Sequence, residues 1–243
     1  MAALSRWPLL VLLLVFVPPA SLTADELRIE ELAPGVWRHI SYQELEGIGP
    51  FPSNGLIVRS ERGVILIDTA WGLPATVELL DRVTERFGRI ELVVVTHFHD
   101  DRLGGIAEVH DRGIPTLSLR STARLAVAGG WPRPLHRVFR RASLNGWGVA
   151  GEIFYPGPGH TPDNAVVWLA EARVLFGGCL VRRAGAKGLG NLEDAVPEGW
   201  AATIARLERR YPQARIVVPG HGPPGDFELL PATRRLAEDH SSP

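Results

Sequence analysis

A single cysteine, Cys179, is all the thiol chemistry this sequence offers. One thiol cannot close an intrachain disulfide, so a small disulfide-stapled fold is excluded. An excess of either charge is also missing. The 26 Lys and Arg stand against 27 Asp and Glu, a net −1 over 243 residues. A near-neutral chain carries no electrostatic footprint for nucleic acid, and no nucleic-acid partner is expected. Internal repeats, low-complexity tracts and an interdomain linker are absent too. After residue 24 no apolar run approaches the roughly 20 residues of a membrane-spanning helix. What remains is an ordinary globular composition, 45% hydrophobic and 22% charged, which excludes a disordered chain.

What is present begins with an export signal. Arg6 supplies a positive n-region, Pro8 to Val17 (PLLVLLLVFV) an apolar h-region, and Pro18 and Pro19 break it before the small residue Ala24. Residues 1–24 are read as a cleaved signal peptide and residues 25–243 as a single domain. No cysteine follows the h-region, which argues against a lipid anchor at that junction. The expected product is a periplasmic monomer without stable membrane association. Export sharpens the question of Cys179: a lone thiol in an oxidising compartment is either buried and inert or held as a thiolate by a metal.

Along the chain, β-rich runs at Val36–Tyr42, Gly55–Arg59 and Val64–Asp68 come first, the last two joined as a hairpin through Arg62-Gly63. A helix is expected from Pro74 to Phe87, with Val77, Leu80 and Val83 at helical spacing and Gly88 as its stop. Ile90–Thr96 reads as a buried strand, Leu103–Asp111 as a helix, Thr116–Leu119 as a strand, and Ser121 as the cap of a helix to Ala128. Residues 129–151 have no clear period, and their arginines read as a solvated face. Strands at Ile153–Tyr155, Ala165–Leu169 and Val174–Phe176 follow, then a helix Trp200–Arg210, a strand Ile216–Val218 and a helix Phe227–Glu238. Sheets covered by helices, an α/β or α+β sandwich, fit this order.

The chemistry concentrates in His97-Phe98-His99-Asp100-Asp101, directly after the strand Ile90–Thr96. Strand C-termini are where α/β proteins build sites. Imidazoles at i and i+2 can reach one metal and Asp101 a second. His160, Cys179 and His221 each follow a strand and each sit beside glycine. Four His, one Asp and one Cys supply three protein ligands for each of two ions. Three ligands with an open position mark catalytic zinc, and this mixed donor set suits zinc better than magnesium or calcium. His39, His110, His136 and His240 have no such neighbours and read as packing or surface residues.

From about Glu30 to Glu238 the chain resembles the metallo-β-lactamase superfamily, and within it the di-zinc subclass of the class B β-lactamases. The segments that carry the resemblance are Ser53-Asn54-Gly55-Leu56-Ile57-Val58, Leu66-Ile67-Asp68-Thr69-Ala70-Trp71, Thr96-His97-Phe98-His99-Asp100-Asp101-Arg102, Gly159-His160-Thr161-Pro162-Asp163-Asn164, Phe176-Gly177-Gly178-Cys179 and Pro219-Gly220-His221-Gly222. The resemblance implies a four-layer αββα sandwich. It assigns His97, His99 and His160 to a first zinc, and Asp101, Cys179 and His221 to a second. Many relatives carry His after the motif's Asp as a ligand; here Arg102 stands there, and a guanidinium cannot replace an imidazole. The mono-zinc subclass has Asn in place of His97, which this chain lacks.

The reaction so implied is hydrolysis of the β-lactam amide bond by a zinc-bound hydroxide oriented by Asp101, with Asn191 as donor to the developing oxyanion. No Ser-x-x-Lys nucleophile is present. The family often places Lys three residues after the cysteine to meet the substrate carboxylate; here that residue is Arg182, with Arg183 and Lys187 nearby. Gln43–Phe51 resembles the family's flap, Trp71 is a candidate for the site floor, and Asp68 and Arg102 are candidates to orient ligands. Penicillins, cephalosporins and carbapenems are the implied substrates, and resistance to them the implied role. A lactone or thioester hydrolase on this scaffold, or a non-catalytic zinc-binding protein, are the competing readings.

Overall fold

The computed structural model describes residues 27–241; the signal-peptide reading of residues 1–24 lies outside them. Twelve strands and six helices follow in chain order. They are β1 (Arg28–Ala33), β2 (Val36–Leu45), β3 (Gly49–Arg59), β4 (Val64–Ile67), α1 (Leu73–Phe87), β5 (Ile90–Val94), α2 (Asp100–Leu103), α3 (Ile106–Asp111), β6 (Thr116–Leu119), α4 (Arg120–Ala128), β7 (His136–Val138), β8 (Arg141–Ser143), β9 (Gly151–Phe154), β10 (Val166–Leu169), β11 (Val174–Gly178), α5 (Pro197–Arg210), β12 (Ile216–Pro219) and α6 (Leu229–Ser241).

A seven-stranded sheet runs β1 to β7 in sequence order, and a five-stranded sheet runs β12-β11-β10-β9-β8. Strand alternation explains why they stack. In β4, Ile65 and Ile67 face the other sheet and join Val167, Val174 and Phe176 in the central core. Val64 and Leu66 face outward and meet Leu79, Leu80 and Val83 of α1, Leu103 of α2 and Val109 of α3. The smaller sheet repeats the pattern: Val166, Leu175 and Val217 pack on Trp200, Ile204 and Leu207 of α5 and Leu230 of α6. Period-2 side chains buried on both faces require helices on both outer surfaces, and the result is the αββα sandwich.

Several boundaries differ from the sequence reading. The helix expected over Leu103–Asp111 is two short pieces, α2 and α3, parted at Gly104-Gly105. A side chain at Gly105 would collide with Thr76 of α1, so close packing selects glycine where the helix breaks. Ser121 lies within the first turn of α4 and caps nothing; Leu119 is the boundary residue. The flap segment is mostly strand: β2 and β3 pair from Val36↔Val58 out to Leu45↔Gly49, leaving only Glu46-Gly47-Ile48 as a turn.

The parallel strands set the position of the site. β4 to β7 run parallel in one sheet, and β11 and β12 run parallel in the other, with Gly178 opposite Pro219. The chain therefore leaves β5, β11 and β12 at one edge of the sandwich, the place where such sheets collect functional loops.

Candidate metal centre

The histidines after β5 and the one in the β9–β10 loop converge. The rings of His97, His99 and His160 stand 5.0 Å apart in each of the three pairs, nearly edge to face. His99 Nδ1 lies 3.1 Å from His160 Nε2, and His97 Nε2 is buried without a partner. His99 Nε2 meets Asp194 Oδ2 at 2.9 Å. A carboxylate accepts only, so the His99 proton sits on Nε2 and its Nδ1 lone pair faces His160. Donor atoms of His97 lie within 4.8 Å of those of His99 and Asp101 in one group and of His160 and Cys179 in another, and its buried, bare nitrogen is what a cation satisfies. Burial pushes His97 well below the ordinary imidazole range, and burial, then His99, takes His160 to about 3. Neutral rings are the form that binds metal.

Beside them Asp101 Oδ2, Cys179 Sγ and His221 Nε2 form a triangle with edges of 3.2, 3.4 and 3.4 Å. Zinc bonds of about 2.0–2.3 Å at tetrahedral angles span ligand edges of roughly 3.3–3.7 Å, so the triangle fits such an ion. His221 Nδ1 donates to the Pro52 carbonyl at 2.7 Å, which leaves Nε2 as the acceptor facing inward. Burial, and after it Arg102, lower His221 to about 4 against the pull of Asp101.

Arg102 underlies this triangle. Fully buried, it reaches Asp101 Oδ2 at 2.8 Å, Cys179 Sγ at 2.9 Å and the Gly220 carbonyl at 3.0 Å through Nη2. Its Nη1 donates to the Asn54 carbonyl and lies 3.6 Å from Asp68 Oδ2. Burial alone would raise the Asp101 carboxyl, but Arg102, His221 and His97 outweigh it and hold it well below the carboxylate range. Burial raises the Cys179 thiol, and Arg102 opposes that rise. Asp68 has a left-handed backbone, φ 63°, and accepts from both the amide and hydroxyl of Thr96 at 2.8 Å, fixing the residue before His97. Arg102 thus touches Asp101 and Cys179 directly, and Asp68 reaches the donors only through Thr96 and Arg102.

Two residues that sequence reasoning passed over complete the frame. Asn54 Nδ2 donates to Pro219 and Gly222 carbonyls at 2.9 and 2.7 Å and clamps the turn bearing His221. Gly220 in that turn has no room for a side chain: a Cβ would stand 2.5 Å from Cys179 Sγ. The other is Asp194, whose only sequence signal was an acid three residues after Asn191.

Five of the six donors, His99, Asp101, His160, Cys179 and His221, line a cavity of about 600 Å³ whose walls include Ile48, Phe51, Trp71, Arg182, Asn191 and Asp194, and His97 is buried beneath it. Phe51 and Trp71 stand 5.0 and 5.8 Å from the His221 ring, so the β2–β3 hairpin covers the second triad. Asn191 Oδ1 accepts from the Glu193 amide at 3.1 Å, leaving its NH2 group to the cavity. Arg182 Nε donates to the Gly188 carbonyl at 3.1 Å, which leaves its terminal nitrogens. The remaining histidines take ordinary roles: His39 is buried in the core, His110 Nε2 bonds Thr116 Oγ1 at 2.9 Å, His136 meets Trp147 edge-on at 6.1 Å, and His240 is exposed.

The family model for the metallo-β-lactamase superfamily matches residues 48–221. A metallo-β-lactamase type 2 from Bacillus cereus is 40% identical over 205 residues, 84% of this chain and 80% of that protein. One from Pseudomonas aeruginosa is 36% identical over 219 residues, 89% of this chain and 87% of that protein. A metallo-β-lactamase from Pontibacter korlensis superposes with a TM-score of 0.85 at 40% identity, covering 88% of this chain and 100% of that one. The αββα frame, the paired triads and these likenesses agree: the chain belongs to the metallo-β-lactamase superfamily and is one of its class B enzymes.

Proposed function

We propose that the protein binds two zinc ions and hydrolyses the β-lactam amide bond of penicillins, cephalosporins and carbapenems in the periplasm, conferring resistance to them. The observation that carries this reading is the pair of adjoining donor triads, five of whose six residues line one cavity that also presents a guanidinium and a carboxamide. His97, His99 and His160 would hold one ion, and Asp101, Cys179 and His221 the other. Zinc held there supplies Lewis acidity, which brings the pKa of water to about 7 and polarises a carbonyl.

The protein's own groups do the rest. Asp101 is held ionised by Arg102 and has a second oxygen, Oδ1, 4.0 Å from His97 Nε2. It orients the attacking water, receives its proton and returns it to the ring nitrogen as the amide C–N bond breaks. The free NH2 of Asn191 donates to the carbonyl oxygen as charge develops there. Arg182 pairs with the substrate carboxylate through its terminal nitrogens. Phe51, Trp71 and Ile48 cover the apolar face of the bound ring and exclude water. The lone thiol of an exported protein is accounted for as a zinc ligand.

The test is turnover of penicillin, cephalosporin and carbapenem substrates by the purified chain from residue 25. Activity that a chelator abolishes and zinc restores is expected. A zinc-loaded sample that turns over no β-lactam but cleaves a lactone or thioester would overturn the substrate assignment.

A further inference from the structure

Between Gly113 and Gly151 the sequence holds six arginines and no acidic residue, so the rest of the chain, with 20 basic and 27 acidic residues, carries −7. The fold gathers this charge at one lateral end. Arg120 opens α4 directly after β6, and Phe139-Arg140 links β7 to β8, the edge strands of the two sheets. Arg120, Arg124, Arg133 and Arg137 surround a shallow cavity of about 360 Å³ floored by Ala123 and Val127. All six arginines are exposed, and none has an acidic partner among the described residues. Arg137 Nη1 donates to the Pro134 and Leu135 carbonyls at 3.1 and 2.9 Å and orders the loop that presents them.

Apolar side chains stand out of the same surface: Phe139 is 76% exposed, Leu135 54% and Val127 42%. Basic charge would by itself guard two edge strands against pairing. It does not require a phenylalanine at the tip. Exposed apolar groups ringed by arginine match a bilayer interface, where cations meet anionic headgroups and aromatic or aliphatic groups enter the acyl boundary. A second copy of this surface would be repelled by its like charge, and a soluble polyanion would leave Phe139 and Leu135 uncovered.

We propose that this end of the molecule docks reversibly on anionic phospholipid bilayers, through Arg120, Arg124, Arg133 and Arg137 with Phe139 inserted. The contact is peripheral, since no described helix is long and apolar enough to cross a membrane. It does not depend on the hydrolytic reading, because none of these residues lines the metal cavity.

Cosedimentation of the zinc-loaded chain from residue 25, whose described part holds all three core layers, tests it. The vesicles are phosphatidylcholine alone and an equal mixture of phosphatidylcholine and phosphatidylglycerol. Binding to the mixture only, weakening as salt rises, is expected. Each arginine near an anionic surface is worth about fivefold in partitioning, so Arg124→Gln with Arg133→Gln should weaken binding roughly 25-fold. Phe139→Ser should weaken it further at high salt. Circular dichroism and zinc content confirm that the variants fold. Equal binding to both vesicles, no binding to either, or binding insensitive to both sets of substitutions would overturn the proposal. So would heparin binding stronger than vesicle binding and indifferent to Phe139→Ser, which would mark a site for a soluble polyanion.

Discussion

Arg102 occupies the position where many relatives of this scaffold place a ligating histidine, and its surroundings show what the exchange does. Its guanidinium carries charge and hydrogen bonds to Asp101, Cys179, Gly220 and Asn54 at once. Removing one partner from a buried ionic cluster costs about 3–5 kcal/mol. Arg102→Ala should lower unfolding free energy by that order in urea titrations, and a loss below about 1 kcal/mol would contradict the role given to it. Asp68 acts at one remove, through Thr96 and Arg102. Asp68→Ala should weaken zinc binding by about 10–100-fold in competition with a chromogenic chelator; unchanged affinity would sink the idea. Asp194→Asn removes the anion that fixes the His99 tautomer. It should weaken the first zinc selectively, leaving the Cys179 thiolate–metal absorption of a cobalt-substituted sample unaltered. The six donor positions were legible in the sequence because all follow strands, three of them clustered in His97-Phe98-His99-Asp100-Asp101 and the other three, His160, Cys179 and His221, each beside glycine. Asp194 was not, since an acid in an irregular loop signals nothing until folding brings His99 to it.

At the scale of elements, the site depends on two parallel strand pairs ending at one edge, and on β3 reaching across to hold them. Asn54 on β3 makes that crossing. Asn54→Ala leaves the Pro219 and Gly222 carbonyls short of a donor and should cost about 1–3 kcal/mol. It should also loosen the second zinc more than the first; equal loss of both would show a general defect instead. Long buried strands and amphipathic helices were readable from period: α1, α5 and β4 lie within a few residues of expectation. β1, β7 and β8 escaped because their faces are largely exposed, with no alternation to read. The split between α2 and α3 escaped because Gly105 answers to Thr76, a neighbour from another helix.

At the scale of the molecule, the buried histidines link folding to pH. Burial lowers His39 and His221 to about 4 and His160 to about 3 from 6.5, with His97 also well below. The unfolded chain therefore binds more protons than the folded one between those values and 6.5. Stability is full above pH 6.5 and is lost as pH falls toward about 4. Burial raises Asp68 to about 7 and Asp163 to about 6. These work in the opposite direction over part of the range, two groups against four. The metal-free protein should thus unfold at lower urea at pH 5 than at pH 7, by about 1.4 kcal/mol per pH unit for each uncompensated histidine. An equal midpoint at the two values would contradict the buried neutral rings.

The most direct test of the whole account is a zinc titration of the metal-free chain, following bound metal and carbapenem turnover together. Two equivalents should bind, turnover should appear only as they bind, and Cys179→Ser should reduce the tight stoichiometry to one. Turnover without metal, or a single tight equivalent unaffected by Cys179→Ser, would contradict the paired-triad assignment.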